Sequence, residues 1–127
     1  MFQIIKCYEY FISKINKKYI KNIFKISGRY FLNDNFDYNK FDNNDNIFKR
    51  NNNLLNMKYY YTSFYKISGN FSDDFFKLLI KTFQDKDKYL EMNLEEIIPE
   101  IINYNFKELD ILGLTQKIAV WNQVDDV

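Results

Sequence analysis

A mixed α/β fold, a sheet flanked by helices, is what this sequence predicts, and three observations carry the prediction. Apolar residues recur at threes and fours near the N-terminus, as in a helix with one buried stripe. Runs rich in β-branched and aromatic residues follow, as in strands. Ser72-Asp73-Asp74 then opens a second helical face. The 127 residues fit one domain spanning 1–127, enough to bury roughly 65–70% of the surface that the unfolded chain exposes. Hydrophobic content of 46% and aromatic content of 20% exclude a disordered chain.

Taken in order, Ile5, Tyr8, Ile12, Ile15 and Tyr19, with lysines between them, predict an amphipathic helix over Ile5–Ile20 that Asn22 breaks. Ile23–Ser27 reads as a short buried strand. Asn33–Asn46, dominated by Asn and Asp, reads as a long loop anchored by Phe36, Tyr38 and Phe41. Asn46–Arg50 and Met57–Ile67 read as two strands joined by a turn at Asn51-Asn52-Asn53, in one sheet with Ile23–Ser27. At Ser72-Asp73-Asp74 a side-chain oxygen is expected to accept from the first-turn amides, with Phe75, Phe76, Leu79, Ile80 and Phe83 forming the apolar face. A further helix is expected over Leu90–Tyr104, kinked at Pro99. Two short strands, Leu109–Leu114 and Lys117–Trp121, and a frayed Asp125-Asp126 end complete the expectation.

Composition excludes several functions. Eighteen Lys and Arg against 17 Asp and Glu leave a net charge of +1, so no global field draws the chain to nucleic acid or an anionic membrane. With no histidine, the usual zinc ligand and the usual general base near neutral pH are missing. A single cysteine, Cys7, forms no internal disulfide framework and suits a reducing, cytoplasmic setting. No signal peptide or membrane span is visible. Abundant Asn, Lys, Ile, Tyr and Phe, with one alanine and one proline, reflect AT-biased coding, which discounts the asparagines as a signal.

The most informative stretch is Phe24-Lys25-Ile26-Ser27-Gly28-Arg29-Tyr30-Phe31-Leu32. A strand ending in Ser-Gly lets the backbone turn sharply near a ligand, and Arg29 sets a five-donor fork at that turn, suited to phosphate or carboxylate. Ser-Gly is also ordinary turn chemistry, so a strand followed by a plain turn is the structural alternative. An echo occurs at Tyr65-Lys66-Ile67-Ser68-Gly69-Asn70-Phe71, where Asn70 replaces the arginine.

Of the carboxylates, Glu91 and Glu95 stand one helical turn apart, and a partly desolvated glutamate can serve as a general base toward an alcohol. A solvated acidic helix face is the alternative reading. Asp34, Asp37, Asp42 and Asp45 match no EF-hand spacing, so no metal ligands are assigned. The Tyr59-Tyr60-Tyr61 ladder with Phe64 and Tyr65 is expected to serve packing, because strand alternation places half of it inside.

Several blocks together resemble the C-terminal half of a family of GT-A-like glycosyltransferases: Phe24–Leu32, Phe36-Asp37, Thr62–Lys66, Leu94–Pro99, Leu109–Leu114 and Ile118–Val120. The Ser-Gly-Arg-Tyr block is the specific one. The resemblance implies that Ser27, Gly28, Arg29 and Tyr30 border a sugar-nucleotide cleft, that Glu95 is the acceptor base with Glu91 and Glu96 as neighbouring candidates, and that the substrates are a nucleotide sugar and a hydroxyl acceptor. Such domains carry an N-terminal nucleotide-binding half, usually with an Asp-x-Asp motif that supplies a divalent metal. Here only Asp85 and Asp87 have that spacing, at a place expected to be solvent-exposed. The resemblance therefore implies a partial domain, the acceptor-side half of a nucleotide-sugar-dependent transferase, inactive on its own. The alternative is a non-enzymatic interaction module that keeps the fold.

Overall fold

The computed structural model describes residues 2–51, 59–60, 62–85, 106–118 and 123–126. The architecture is mixed α/β. Helix α1 (Phe2–Lys14) leads into a 3-10 turn at Lys17–Tyr19 and then strand β1 (Asn22–Ile26). Strand β2 (Tyr30–Leu32) follows, then a 3-10 turn at Tyr38–Lys40, β3 (Asn46–Phe48), β4 (Arg50–Asn51), β5 (Tyr59–Tyr60) and β6 (Phe64–Ser68). A 3-10 turn at Gly69–Phe71 runs into helix α2 (Ser72–Gln84), and β7 (Phe106–Glu108), β8 (Leu114–Ile118) and β9 (Gln123–Asp126) follow.

The main sheet has the order β1-β6-β3-β7, antiparallel except for the parallel β3–β7 pair. Beside it lie a three-stranded antiparallel sheet, β2-β8-β9, and the β4–β5 ladder. The expected pairing of the 23–27 strand with the aromatic run is present for its second part, Phe64–Ser68, with Lys25 opposite Tyr65, whereas the expected single strand over Met57–Ile67 is interrupted by a bend at Thr62-Ser63 and Tyr59–Tyr60 pairs with β4 in a separate ladder.

Strand alternation assigns the two faces of the main sheet. Tyr65, Ile67 and Phe48 point to one face, where they meet Ile5 and Tyr8 of α1 and Phe75, Phe76 and Leu79 of α2. Phe64 and Ile47 point to the other, where they meet Phe41, Leu112 and Leu114, with Tyr30 and Phe36 against them. Each fully buried Phe, Leu or Ile contributes roughly 1.5–3 kcal/mol. Because Leu114 belongs to β8, the second sheet shares the core of this loop face.

Several expectations are corrected. The first helix stops at Lys14 rather than continuing to Ile20. Asn16 intervenes, its side chain accepting from Lys18 N–H at 3.2 Å, which is the local competition that makes asparagine a helix breaker. The 23–27 strand is shifted by one residue and is half-buried, because it forms the sheet edge. At α2 neither Ser72 nor Asp73 accepts from first-turn amides. Ser72 Oγ donates to Gly69 O at 2.8 Å, and the acidic pair Asp73-Asp74 favours the positive end of the helix. Residues 109–113 are irregular, since Gly113 at φ 76° breaks the expected strand, and the strand begins at Leu114. The acidic end is not frayed. Asp126 pairs with Thr115 in β8–β9 and accepts from its hydroxyl at 2.6 Å. The expected helix over Leu90–Tyr104, and with it Glu91, Glu95, Glu96 and Glu100, lies outside the described residues, as do Asp87 and residues 119–121 of the last expected strand. Among the described residues, no helix is long and apolar enough to cross a membrane.

Candidate functional site

Ser27–Tyr30 is a turn that carries the chain from the main sheet to the second one. Ser27 N–H donates to Ser63 O at 2.8 Å, and Tyr30 N–H closes the turn onto Ser27 O at 3.0 Å. Tyr30 is half-buried against the loop-face core, which fixes one end. Arg29, at the tip, is exposed. Among the described residues its guanidinium has no hydrogen-bond or ion-pair partner.

Gly28 also lies in the open, where an added Cβ would meet nothing within 4 Å, and its φ is not positive. The steric reason for a glycine, expected at Gly28, applies to Gly69 instead. A Cβ there would stand 1.8 Å from the carbonyl oxygen of Ile20, because Gly69 N–H donates to the neighbouring Lys21 O at 2.7 Å.

Behind the turn, Lys25 Nζ donates to Ser27 Oγ at 2.6 Å and also to Thr62 O. It stands 5.9 Å from the centre of the Tyr65 ring, within the range of a cation–π contact. An oxygen that accepts from an ammonium keeps its own O–H to donate, and the nearby charge strengthens that donor. Arg29, the Ser27 hydroxyl and Lys25 therefore bring two cations and a polarised hydroxyl to one short turn. Its chemistry favours an anion.

The structure contains a second lysine environment that sequence reasoning did not single out. Lys66 is fully buried, and its ammonium donates to Asn43 O, to Asn43 Oδ1 at 3.1 Å and to Asp45 O at 2.6 Å. Burial lowers its pKa, while the carboxylates of Asp45 and Asp42 pull it back up. Lys66 thus pins the 43–45 loop from inside. The signal for it was its phase: two residues beyond Phe64 in the same strand, Lys66 had to share the inward face of Phe64.

Other polar groups in the core are structural. Tyr65 is buried, its hydroxyl has no hydrogen-bond partner among the described residues, and burial pushes its pKa up, so it stays neutral and unsuited to proton transfer near pH 7. Asp73 accepts from Tyr8 at 2.6 Å and Lys17 at 2.8 Å, and these bonds hold its carboxyl below the usual range. That group ties α1 and the Lys17–Tyr19 turn to the start of α2.

Of the acidic loop residues, Asp37 caps Asn39 N–H and Asp42 pairs with Lys21 at 2.6 Å. Among the described residues, no cluster of three or more His, Cys, Asp or Glu could hold a metal. Ser27, Gly28, Arg29 and Tyr30 are thus brought together on one turn, whereas Glu95 lies outside the described residues. Comparison with known proteins finds no matching family model, no similar curated protein and no similar solved structure.

Proposed function

We propose that the chain is a glycosyltransferase-like domain whose Ser27–Tyr30 turn receives the phosphate of a nucleotide sugar. The observation that carries this reading is the exposed Arg29 guanidinium at the tip of a fixed turn, with no partner among the described residues. Arginine presents two parallel N–H groups to a phosphate, a stronger and more directional contact than a lysine makes. In this reading the Ser27 hydroxyl, polarised by Lys25, donates to a further phosphate oxygen. Glu95 is the base assigned to deprotonate the acceptor hydroxyl. The order of the blocks from Phe24 to Val120 supports the transferase class.

Calorimetry with a panel of nucleotide sugars, with and without manganese, tests the proposal. With one arginine and one indirect lysine at the turn, binding is expected near 1 mM, about −4 kcal/mol. Arg29→Ala is expected to weaken it by about tenfold, ~1.4 kcal/mol, near the lower end of a charged hydrogen bond's contribution. No turnover is expected from these residues alone. Absence of binding well above millimolar ligand, or equal binding by Arg29→Ala, would overturn the reading.

A second reading, as an interaction module, is favoured by a different observation. Phe24 and Ile26 on β1 and Phe31 and Leu32 on β2 are large apolar side chains, each at least 37% exposed.

A further inference from the structure

Strand β1 is an edge strand whose outward groups can be identified. Ser27 N–H bonds to Ser63 O, and Gly69 N–H to Lys21 O. In an antiparallel ladder the residues of one parity exchange bonds with the partner strand, while the other parity faces away. Residues 21, 23, 25 and 27 therefore bond to β6, and Asn22, Phe24 and Ile26 turn their N–H and C=O groups outward. The sheet order places nothing beyond β1 among the described residues.

Natural edges are blunted by charge, proline or bulges. The opposite edge, β7, carries the exposed pair Lys107 and Glu108, and β9 ends in Asp125-Asp126. Strand β1 has neither proline nor bulge. Its one cation, Lys25, is turned inward onto Ser27 and Thr62, and Phe24 and Ile26 stand 37% and 45% exposed. Of the other edges without charge among the described residues, β2 has only three residues and β5 only two.

We infer that β1 pairs with β1 of a second copy of this chain, antiparallel about a two-fold axis at Phe24. This inference is independent of the phosphate-binding proposal. The outward groups are symmetric about Phe24, so Asn22 faces Ile26 of the partner, Phe24 faces its own mate, and each donor meets an acceptor. The two Phe24 rings then lie side by side, with the Ile26 side chains on the same face. A net charge of +1 offers no repulsive field between copies, and the inward-turned Lys25 removes the local one. A five-residue edge buries less than the ~1,200 Å² of a standard interface, so the pair is weak, with a dissociation constant on the order of 100 µM.

Sedimentation of the whole chain over a micromolar-to-millimolar range provides the test. The wild type is expected to shift from monomer to dimer. Ile26→Lys is expected to abolish the dimer with its thermal midpoint unchanged, while Phe31→Lys on β2 leaves it intact. In a Cys7→Ser background, Phe24→Cys is expected to cross-link under mild oxidation. The two-fold pairing sets those Cα atoms about 5.5 Å apart, within disulfide reach, and Phe31→Cys is expected not to cross-link. A wild type that stays monomeric throughout, whatever else the edge binds, overturns the inference. So does a dimer that survives Ile26→Lys or is broken by Phe31→Lys instead, and so does a Phe24→Cys chain that cross-links no faster than Phe31→Cys.

Discussion

The tetrapeptide Lys-Ile-Ser-Gly occurs twice, at 25–28 and 66–69, in two neighbouring strands, and the copies do opposite things. In the second copy Lys66 and Ile67 are fully buried and Ser68 nearly so, and Gly69 is pressed against Ile20. In the first, Ile26 is 45% exposed and Gly28 faces open space. Lys25 points to the helix face beside Tyr65, whereas Lys66 points to the loop face. The same residues differ because, among the described residues, β6 is flanked by strands on both sides and β1 on one, and because the two copies run in opposite strand phase. An identical sequence is a structural plug in the middle of the sheet and a solvent-facing turn at its edge.

That contrast can be attacked at each position. The largest expected effect is at the glycines. Gly69→Ala should cost at least ~3 kcal/mol, at the top of the overpacking range, because the neighbour is backbone and cannot rotate away. Gly28→Ala should be neutral or stabilising by up to about 1 kcal/mol through the unfolded state. Denaturant melts of the two variants give the difference directly.

Next come the isoleucines. Ile67→Ala empties a fully buried site and should cost about 2–5 kcal/mol. Ile26→Ala, on the exposed edge, should stay within about 0.5 kcal/mol. Equal midpoints for these two would contradict the assigned faces.

Smaller again is Lys66→Met, which leaves the Asn43 and Asp45 carbonyls unpaired and should cost about 1–3 kcal/mol near neutral pH. Its pH dependence sharpens the assignment. Burial lowers the folded pKa of Lys66 below the unfolded value of about 10.4, so the unfolded chain holds more protons between the two. Stability should therefore rise with pH in that window, and Lys66→Met should flatten the rise. Tyr65 acts in the opposite direction. Its folded pKa is raised by burial, so stability is present below about pH 10 and lost above it, and that loss should persist in Lys66→Met. Urea melts of both proteins from pH 7 to 11 read the two slopes.

The parts of the fold visible in the sequence were those set by periodicity. The apolar face of α2 over Phe75, Phe76, Leu79 and Ile80, the pairing of the 23–27 run with Phe64–Ser68, and the anchoring of the 33–46 loop by Phe36 and Phe41 are present, whereas Phe83 and Tyr38, expected alongside them, stand 43% and 50% exposed. The misreadings have local causes. Asn16 ended α1 before its apolar pattern ended, and Gly113 broke a run that composition alone made strand-like. The 23–27 strand is less buried than its apolar pattern predicts because position in a sheet depends on the strands beside it, which no local pattern encodes. For the candidate site, the turn that carries Arg29 followed from Ser-Gly and its flanks. The lysine behind Ser27 did not, because its contact with Thr62 O spans 37 positions of sequence. The same holds for the steric role of Gly69, which depends on Ile20.

Residue-resolved amide shifts during titration with a nucleotide sugar test the central claim most directly, that the edge copy is the one available to a ligand. The account predicts perturbations centred on Ser27, Gly28 and Arg29, extending to Thr62 and Ser63, with Ser68, Gly69 and Asn70 unmoved and the response lost in Arg29→Ala. Shifts centred on the 66–70 copy, or a pattern unchanged by Arg29→Ala, would contradict it.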